Sequence, residues 1–220
     1  IIYLEKVNKM SNTYFNKKTL VSGIIILLII LITIDLRINP LSFFNGLSNV
    51  IDLSKYTFPP DWSVLKTGFV AIIETLEIAF LGTVLGMILA LPFGLLASRN
   101  LFSKKTTVVV RIFLAAIRSL PSLLWAVIFV IIVGFGPFAG VLATMVYTMG
   151  YLAKLQYESF EGINSEPLEA VASIGAHKLQ VIRYVVLPEA ANNLLSQLLF
   201  MFEYNVRASS ILGFVGAGGV

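Results

Sequence analysis

Three ionisable side chains sit where the sequence offers them least water: Arg118, Glu203 and Arg207 each fall inside or at the edge of a long apolar run. A charge carried to the centre of a bilayer costs about 3 kcal/mol or more unless it meets a partner or a polar cavity, so such residues mark pathways. Arg118 precedes Pro121, whose missing N–H kinks a helix, and Arg207 follows Tyr204 and Asn205 on one stretch. With Trp125 these make up the candidate pathway: Arg118, Trp125, Tyr204, Asn205 and Arg207. Plainer readings compete with that one. Glu203 and Arg207, at i and i+4, can form a helix-stabilising pair. Arg118 can snorkel its guanidinium towards the nearer interface. Trp125 and Tyr147 read more readily as packing or interface aromatics than as ligand contacts.

Other chemistries fail on inventory. The chain has no cysteine and therefore no disulfide, thiolate ligand or Cys nucleophile. One histidine, His177, without cysteines does not build a typical zinc site, so no metal is expected. No GxxxxGK[ST] run exists to cradle nucleotide phosphates, so no cofactor is expected and any ATP must be bound by a partner. No apolar stretch carries a Ser/His, Asp/Asp or His/Asp set, so no catalytic residue is assigned and a non-catalytic role is expected. His177 reads as a surface residue.

The elements that position these residues are membrane spans. Of 220 residues, 57% are hydrophobic and 13% charged, and the mean hydropathy is +0.88, too much apolar surface for a soluble fold of this size. Stretches almost free of charge predict five spans in an all-α, polytopic helical bundle. The first runs over residues 20–36, without a small-residue cleavage pattern after it, and so reads as a retained helix and not a signal peptide. Residues 37–63, with Asn39, Pro40, Pro59 and Pro60, read as an extramembrane connection lacking a motif. The second span is expected near 74–97 after an approach from Val64, the third over 108–133 with a kink at Pro121, the fourth over 138–152, and the fifth from Pro188 to about Leu212. Residues 154–187 are too charged to cross.

Eleven basic residues fall on one side, Lys6, Lys9, Lys17, Lys18, Arg99, Lys104, Lys105, Arg111, Lys154, Lys178 and Arg183, against Arg37, Lys55 and Lys66 on the other. The positive-inside rule then places the amino terminus and residues 1–19 in the cytoplasm, and it explains the net charge of +4 without nucleic acid. In the cytoplasmic stretch, Ser165 is expected to cap a short helix that Gly175 ends, and a second amphipathic helix over 176–186 follows. Two such helices form either a docking surface or a solvated loop.

Within that stretch Glu169-Ala170-Val171, then Gly175, then Val185 and Leu187-Pro188 resemble the coupling loop of ABC importer permeases, with Val171 and Val185 as mild departures. The segments around Arg118–Ala126, Gly134–Gly140 and Phe202–Ser209 are similar to the phosphonate permease branch, so the resemblance covers about 74–220. It implies a bundle of the type I ABC importer class in a bacterial inner membrane. It also implies a cytoplasmic ATPase partner seated on Glu169, Ala170, Val171, Gly175, Val185, Leu187 and Pro188, an external phosphonate-type binding protein and a second permease copy. Phosphonate carries negative charge that guanidinium forks match in a bidentate way. The resemblance further implies a domain over 64–220, with its coupling loop at 165–188, that lacks a sixth span. Both ends read as those of a fragment, since the chain starts on Ile1 and stops on a glycine-rich run.

Overall fold

The computed structural model describes the backbone of residues 2–219 and the side chains of residues 18–39 and 41–219. Every long regular element among them is helical. The chain divides into two compact units, Ile1–Asp61 and Trp62–Val220.

In the first unit, α1 (Ile2–Asp35) carries the apolar stretch Lys18–Asp35, so the first span is the second half of a longer helix. The side chains of Lys6, Lys9 and Lys17, counted above for orientation, lie outside the described residues. The irregular connection expected after it is instead a helix, α2 (Pro40–Thr57). Asn39 accepts a hydrogen bond from the Leu41 N–H at 3.0 Å, and Pro40 occupies the first helical position, where its missing donor costs nothing. The Asn-Pro pair reads as a break yet serves as a start signal.

The second unit comprises α3 (Leu65–Ala97), α4 (Lys104–Arg118), α5 (Ser122–Val133), α6 (Pro137–Glu161), α7 (Ser165–Ser173), α8 (Lys178–Val181) and α9 (Leu187–Leu212), with a π-turn at Ile182–Val186 and a 3-10 turn at Gly213–Val215. Among the described residues four helices are long and apolar enough to cross a membrane, five if α4 and α5 count as one broken span. That broken span departs from the kink expected at Pro121: the two helices meet at 84°. Pro121 supplies no N–H and stands in the extended conformation as the cap of α5, and the Ser119 N–H turns back to the Ala116 carbonyl at 3.2 Å. Helix α6 outlasts the expected fourth span because its polar residues fall on suitable faces. Lys154 pairs with Glu158 at 3.2 Å, and Phe160 is fully buried.

Close approach of α3 and α6 forms the centre of this unit. Gly82, Gly86 and Gly94 on α3 face Thr144, Thr148 and Gln156 on α6, and a Cβ at those glycines would come within 2.5, 2.6 and 2.9 Å of the opposing side chains. Ala79, Ala90 and Ala97 continue the same buried stripe. Lipid tails are as apolar as leucine, so helices in a bilayer gain by backbone proximity and dispersion more than by hydrophobic exclusion, and small residues permit that proximity. At the other end of α6, the Gly136 N–H donates to the Gly216 carbonyl at 2.8 Å, and the Gly219 N–H donates to Glu74 Oε1 at 3.1 Å.

A valine at Gly86 has no room, since both the Thr148 side chain and the Met145 carbonyl stand within 3 Å of the new Cβ. Gly86→Val is expected to destabilise the bundle by roughly 1–3 kcal/mol, read as a lower unfolding midpoint in detergent. Gly68→Ala on the same helix, where nothing lies within 4 Å, is expected to leave that midpoint unchanged or slightly raised.

Candidate functional site

Asn205 sets the orientation of α9. Its side chain is 1% exposed, and its amide donates to Thr83 Oγ1 on α3 and to Thr148 Oγ1 on α6, both at 2.8 Å. The residue expected to line a pathway is therefore a three-helix tie, because a polar group at this depth has to find partners within the protein. Thr83 and Thr148 lie near the middle of their helices, so Asn205 ties α9 to α3 and α6 away from the ends of both. Glu203 and Arg207 flank it within one turn. They pair at 2.6 Å, as the i,i+4 alternative requires, yet their side chains are 69% and 72% exposed. Both the ion pair and the open face are thus present.

Beside this pair runs a groove of about 410 Å³ between the start of α5 and α9, lined by Ser122, Leu123, Phe200, Tyr204, Arg207 and Ile211 among others. From the groove a ladder of tyrosines leads inward. The Tyr204 and Tyr147 hydroxyls stand 3.2 Å apart with rings stacked at 5.8 Å, and Tyr147 stacks on Tyr151 at 6.3 Å. The Arg118 guanidinium lies 5.9 Å from the Tyr151 ring centroid, in the range of a cation–π contact. Arg118 is thereby linked through α6 to Tyr204, which lines the groove together with Arg207. Trp125 stands apart from the ladder: its indole N–H donates to the Ile117 carbonyl at 3.1 Å and its ring stacks on Phe129, bracing the 84° break. Sequence reading treated Tyr147 as packing and passed over Tyr151. Their spacing of four on a helix was the available signal.

The second set of candidate residues forms a surface at the end of the unit where α6 stops. Asn164, not Ser165, occupies the cap position of α7. Gly175 follows with φ +81, a left-handed conformation that admits glycine and strains other residues. His177 then starts α8 in a capping box, its N–H donating to Gln180 Oε1 at 3.0 Å. Helix α9 keeps the bounds expected of the fifth span, Leu187–Leu212, and α8 and the π-turn run into it as one helical stretch, Lys178–Val215. The Leu187 N–H reaches back five residues to the Ile182 carbonyl, which accommodates Pro188 in the first turn of α9. Glu169, Ala170, Gly175 and Pro188 are exposed, Val171 and Leu187 half-buried, and Val185 buried as the anchor. Ile174, Leu179 and Tyr184 expose 84%, 71% and 67% of their surface on this polar segment, the kind of apolar exposure that a docking surface has and a solvated loop lacks.

Arg111, counted above only for orientation, ties the same end together. Its guanidinium donates to the Ala97 carbonyl at 2.9 and 3.0 Å, pairs with Glu161 at 2.6 Å and covers the Tyr157 ring at 4.0 Å. Among the described residues no cluster of His, Asp and Glu could hold a metal ion.

Residues 82–220 match the family described as binding-protein-dependent transport system inner membrane component. The putative phosphite transport system permease protein HtxC of Stutzerimonas stutzeri is 39% identical over 176 residues, 80% of this chain and 62% of that protein. The phosphate-import permease protein PhnE of Mycolicibacterium smegmatis is 35% identical over 201 residues, 90% of this chain and 38% of that protein. The chain therefore spans about two-fifths to three-fifths of the length of these relatives. Among solved structures, the inward-facing MetNI methionine ABC transporter superposes with a TM-score of 0.66 at 25% identity, covering 72% of this chain and 79% of that one.

The Asn205 tie is open to a double-mutant cycle. Asn205→Leu is expected to cost about 1–2 kcal/mol of unfolding stability, and combining it with Thr83→Val is expected to add less than the sum of the single losses. Additive losses would show that the two side chains do not interact.

Proposed function

Because the chain belongs to the family of inner membrane components of binding-protein-dependent transport systems, we propose that it is the membrane-spanning permease subunit of an ABC importer for phosphonate, phosphite or a related phosphorus oxyanion. In this reading a binding protein delivers the anion from outside and a second copy of the chain completes the pore. A cytoplasmic ATPase docks on α7 and α8, and the amino terminus lies in the cytoplasm.

One observation carries the reading: an ion pair on a helix apolar enough to span a membrane, beside the buried Asn205 tie, that is not covered by its own chain. Hydrocarbon is no solvent for Glu203 and Arg207, so that face of α9 meets a wet path or a second permease copy, and the groove beside it supplies the room. A guanidinium presents parallel donors to two phosphoryl oxygens at once, which a lysine cannot do. Its partnership with Glu203 tempers the attraction, and a transported ion has to leave as well as arrive. The substrate names of HtxC and PhnE support the same chemical class.

The coupling surface supports ATP-driven motion. Ile174 and Leu179 offer apolar purchase to a partner, and the stretch Lys178–Val215 runs from there to Arg207 without a loop. A displacement at α8 is then carried along α9 to the groove some 30 Å away, taking about 1.5 Å per residue.

A second reading is favoured by the tyrosine ladder. Three stacked rings next to a neutralised arginine also suit a quaternary ammonium zwitterion, whose cation would sit against aromatic faces.

Arg118→Gln and Arg207→Gln are each expected to lower uptake by about tenfold or more while co-purification with the ATPase and basal ATP hydrolysis persist, since neither residue lies on the coupling surface. Replacing Glu169 and Gly175 is expected to give the converse, loss of ATPase association. Unchanged uptake in both arginine variants would remove them from the path.

A further inference from the structure

The corner between α3 and α4 holds a basic cavity that neither the pathway nor the coupling surface uses. It encloses about 370 Å³ and is lined by Arg99, Phe102, Lys104, Thr107 and Val108. Among the described residues neither the Arg99 guanidinium nor the Lys104 ammonium has an ion-pair partner. Glu161, whose carboxylate reaches the Arg99 backbone, is already engaged: one oxygen accepts from both Arg111 and the Arg99 backbone N–H at 2.6 Å. A further ammonium, that of Lys178, stands 5.2 Å from the ring centroid of Phe102 on the cavity wall. The cavity is thus a pocket of uncompensated positive charge at the point where the apolar span α3 gives out.

An anion is the evident ligand class, and the wall of the cavity tells which kind. Lys104, Val108 and Ile112 follow one another at i, i+4 and i+8, so they form a single line down α4. Val108 and Ile112 expose 44% and 65% of their surface, and Val109 and Phe113 widen the apolar strip. With about 1.5 Å of rise per residue, the two aliphatic residues lie roughly 6 and 12 Å from Lys104 along the α4 axis, a spacing that matches the glycerol ester and first acyl carbons beside a phosphate. A free phosphate would use only the polar end of this arrangement. A molecule with a phosphodiester above and hydrocarbon below uses all of it.

We propose that this corner is a binding site for one anionic phospholipid of the cytoplasmic leaflet, its phosphate between Arg99 and Lys104 and its chains along Val108 and Ile112 of α4. Basic pockets at helix ends on the side of the anionic leaflet are suited to such headgroups. The site bears on coupling. Asn100, next to Arg99, donates to the Phe160 carbonyl at 2.8 Å, and Asn100 and Leu101 share a cavity with Leu168, Glu169 and Lys178 of the coupling segment. A lipid in the corner therefore braces the loop against which that segment rests. The proposal requires the membrane placement of α3 and α4 but not the anion pathway, so either can fail alone.

Native mass spectrometry of the full-length permease in detergent, titrated with phosphatidylglycerol or phosphatidylcholine, tests it. Phosphatidylglycerol is expected to bind saturably and about tenfold more tightly than phosphatidylcholine, and Arg99→Gln with Lys104→Gln to weaken it about fivefold or more. Lys105→Gln makes the same charge change one residue outside the cavity lining and is expected to shift affinity less than about twofold. Lys104→Gln alone, at an exposed helix start, carries the comparison should the double variant fold poorly. Equal affinity for the two lipids, an equal loss in Lys105→Gln, or displacement of the lipid by equimolar glycerol 3-phosphate would each overturn the proposal.

Discussion

How near two backbones can approach inside a bilayer decides the rest of this molecule. Gly82, Gly86 and Gly94 let α3 lie so close to α6 that no Cβ fits between them, and that proximity brings Thr83 and Thr148 to within one amide of each other. Asn205 closes the gap with two hydrogen bonds. Once Asn205 is turned inward, helical geometry turns Glu203 and Arg207 away from the bundle, because residues two apart lie on opposite sides of a helix. The exposed ion pair is in this sense a consequence of three glycines on another element. It also explains how a charged pair is kept at a depth where it is costly: the same tie that anchors α9 prevents it from rotating the pair into hydrocarbon or into the core.

The end formed by α7 and α8 depends on a different device, continuity. Gly175 and the His177–Gln180 capping box turn the chain sharply, after which α8, the π-turn and α9 leave no flexible joint before Asn205. Arg111 fastens the neighbouring ends of α3, α4 and α6 through the Ala97 carbonyl and Glu161, so the surface on which the coupling segment rests is itself held. A stiff lever on a stapled base is what transmission of a partner's motion requires.

Much of this was legible in the sequence, and the failures have physical causes. Apolar runs announce spans because the bilayer admits little else, and the end of α7 and the start of α9 were readable because Gly175 and Leu187-Pro188 act locally. Asn205 was misread because its partners lie 122 and 57 positions away, and nothing local reveals that a polar side chain in a span has found two hydroxyls. Helix α2 was read as a loop because Asn-Pro begins helices as readily as it ends them. The 84° break was expected as a kink, since a proline tells that the hydrogen-bond ladder stops but not how far the chain turns before it resumes. Arg207 was legible as a choice between an ion pair and an open pathway residue. The structure shows the ion pair and leaves its face exposed, because pairing and exposure do not exclude each other.

Transport itself gives the most direct test of the account. Proteoliposomes holding the full-length permease and its ATPase, with ATP inside and the binding protein outside, can be offered labelled phosphite or methylphosphonate beside labelled choline or glycine betaine. The account predicts ATP-dependent accumulation of the phosphorus oxyanion above its external concentration and none of the quaternary ammonium solutes. Accumulation of choline or betaine without the oxyanion, or oxyanion entry that ignores ATP, would contradict it.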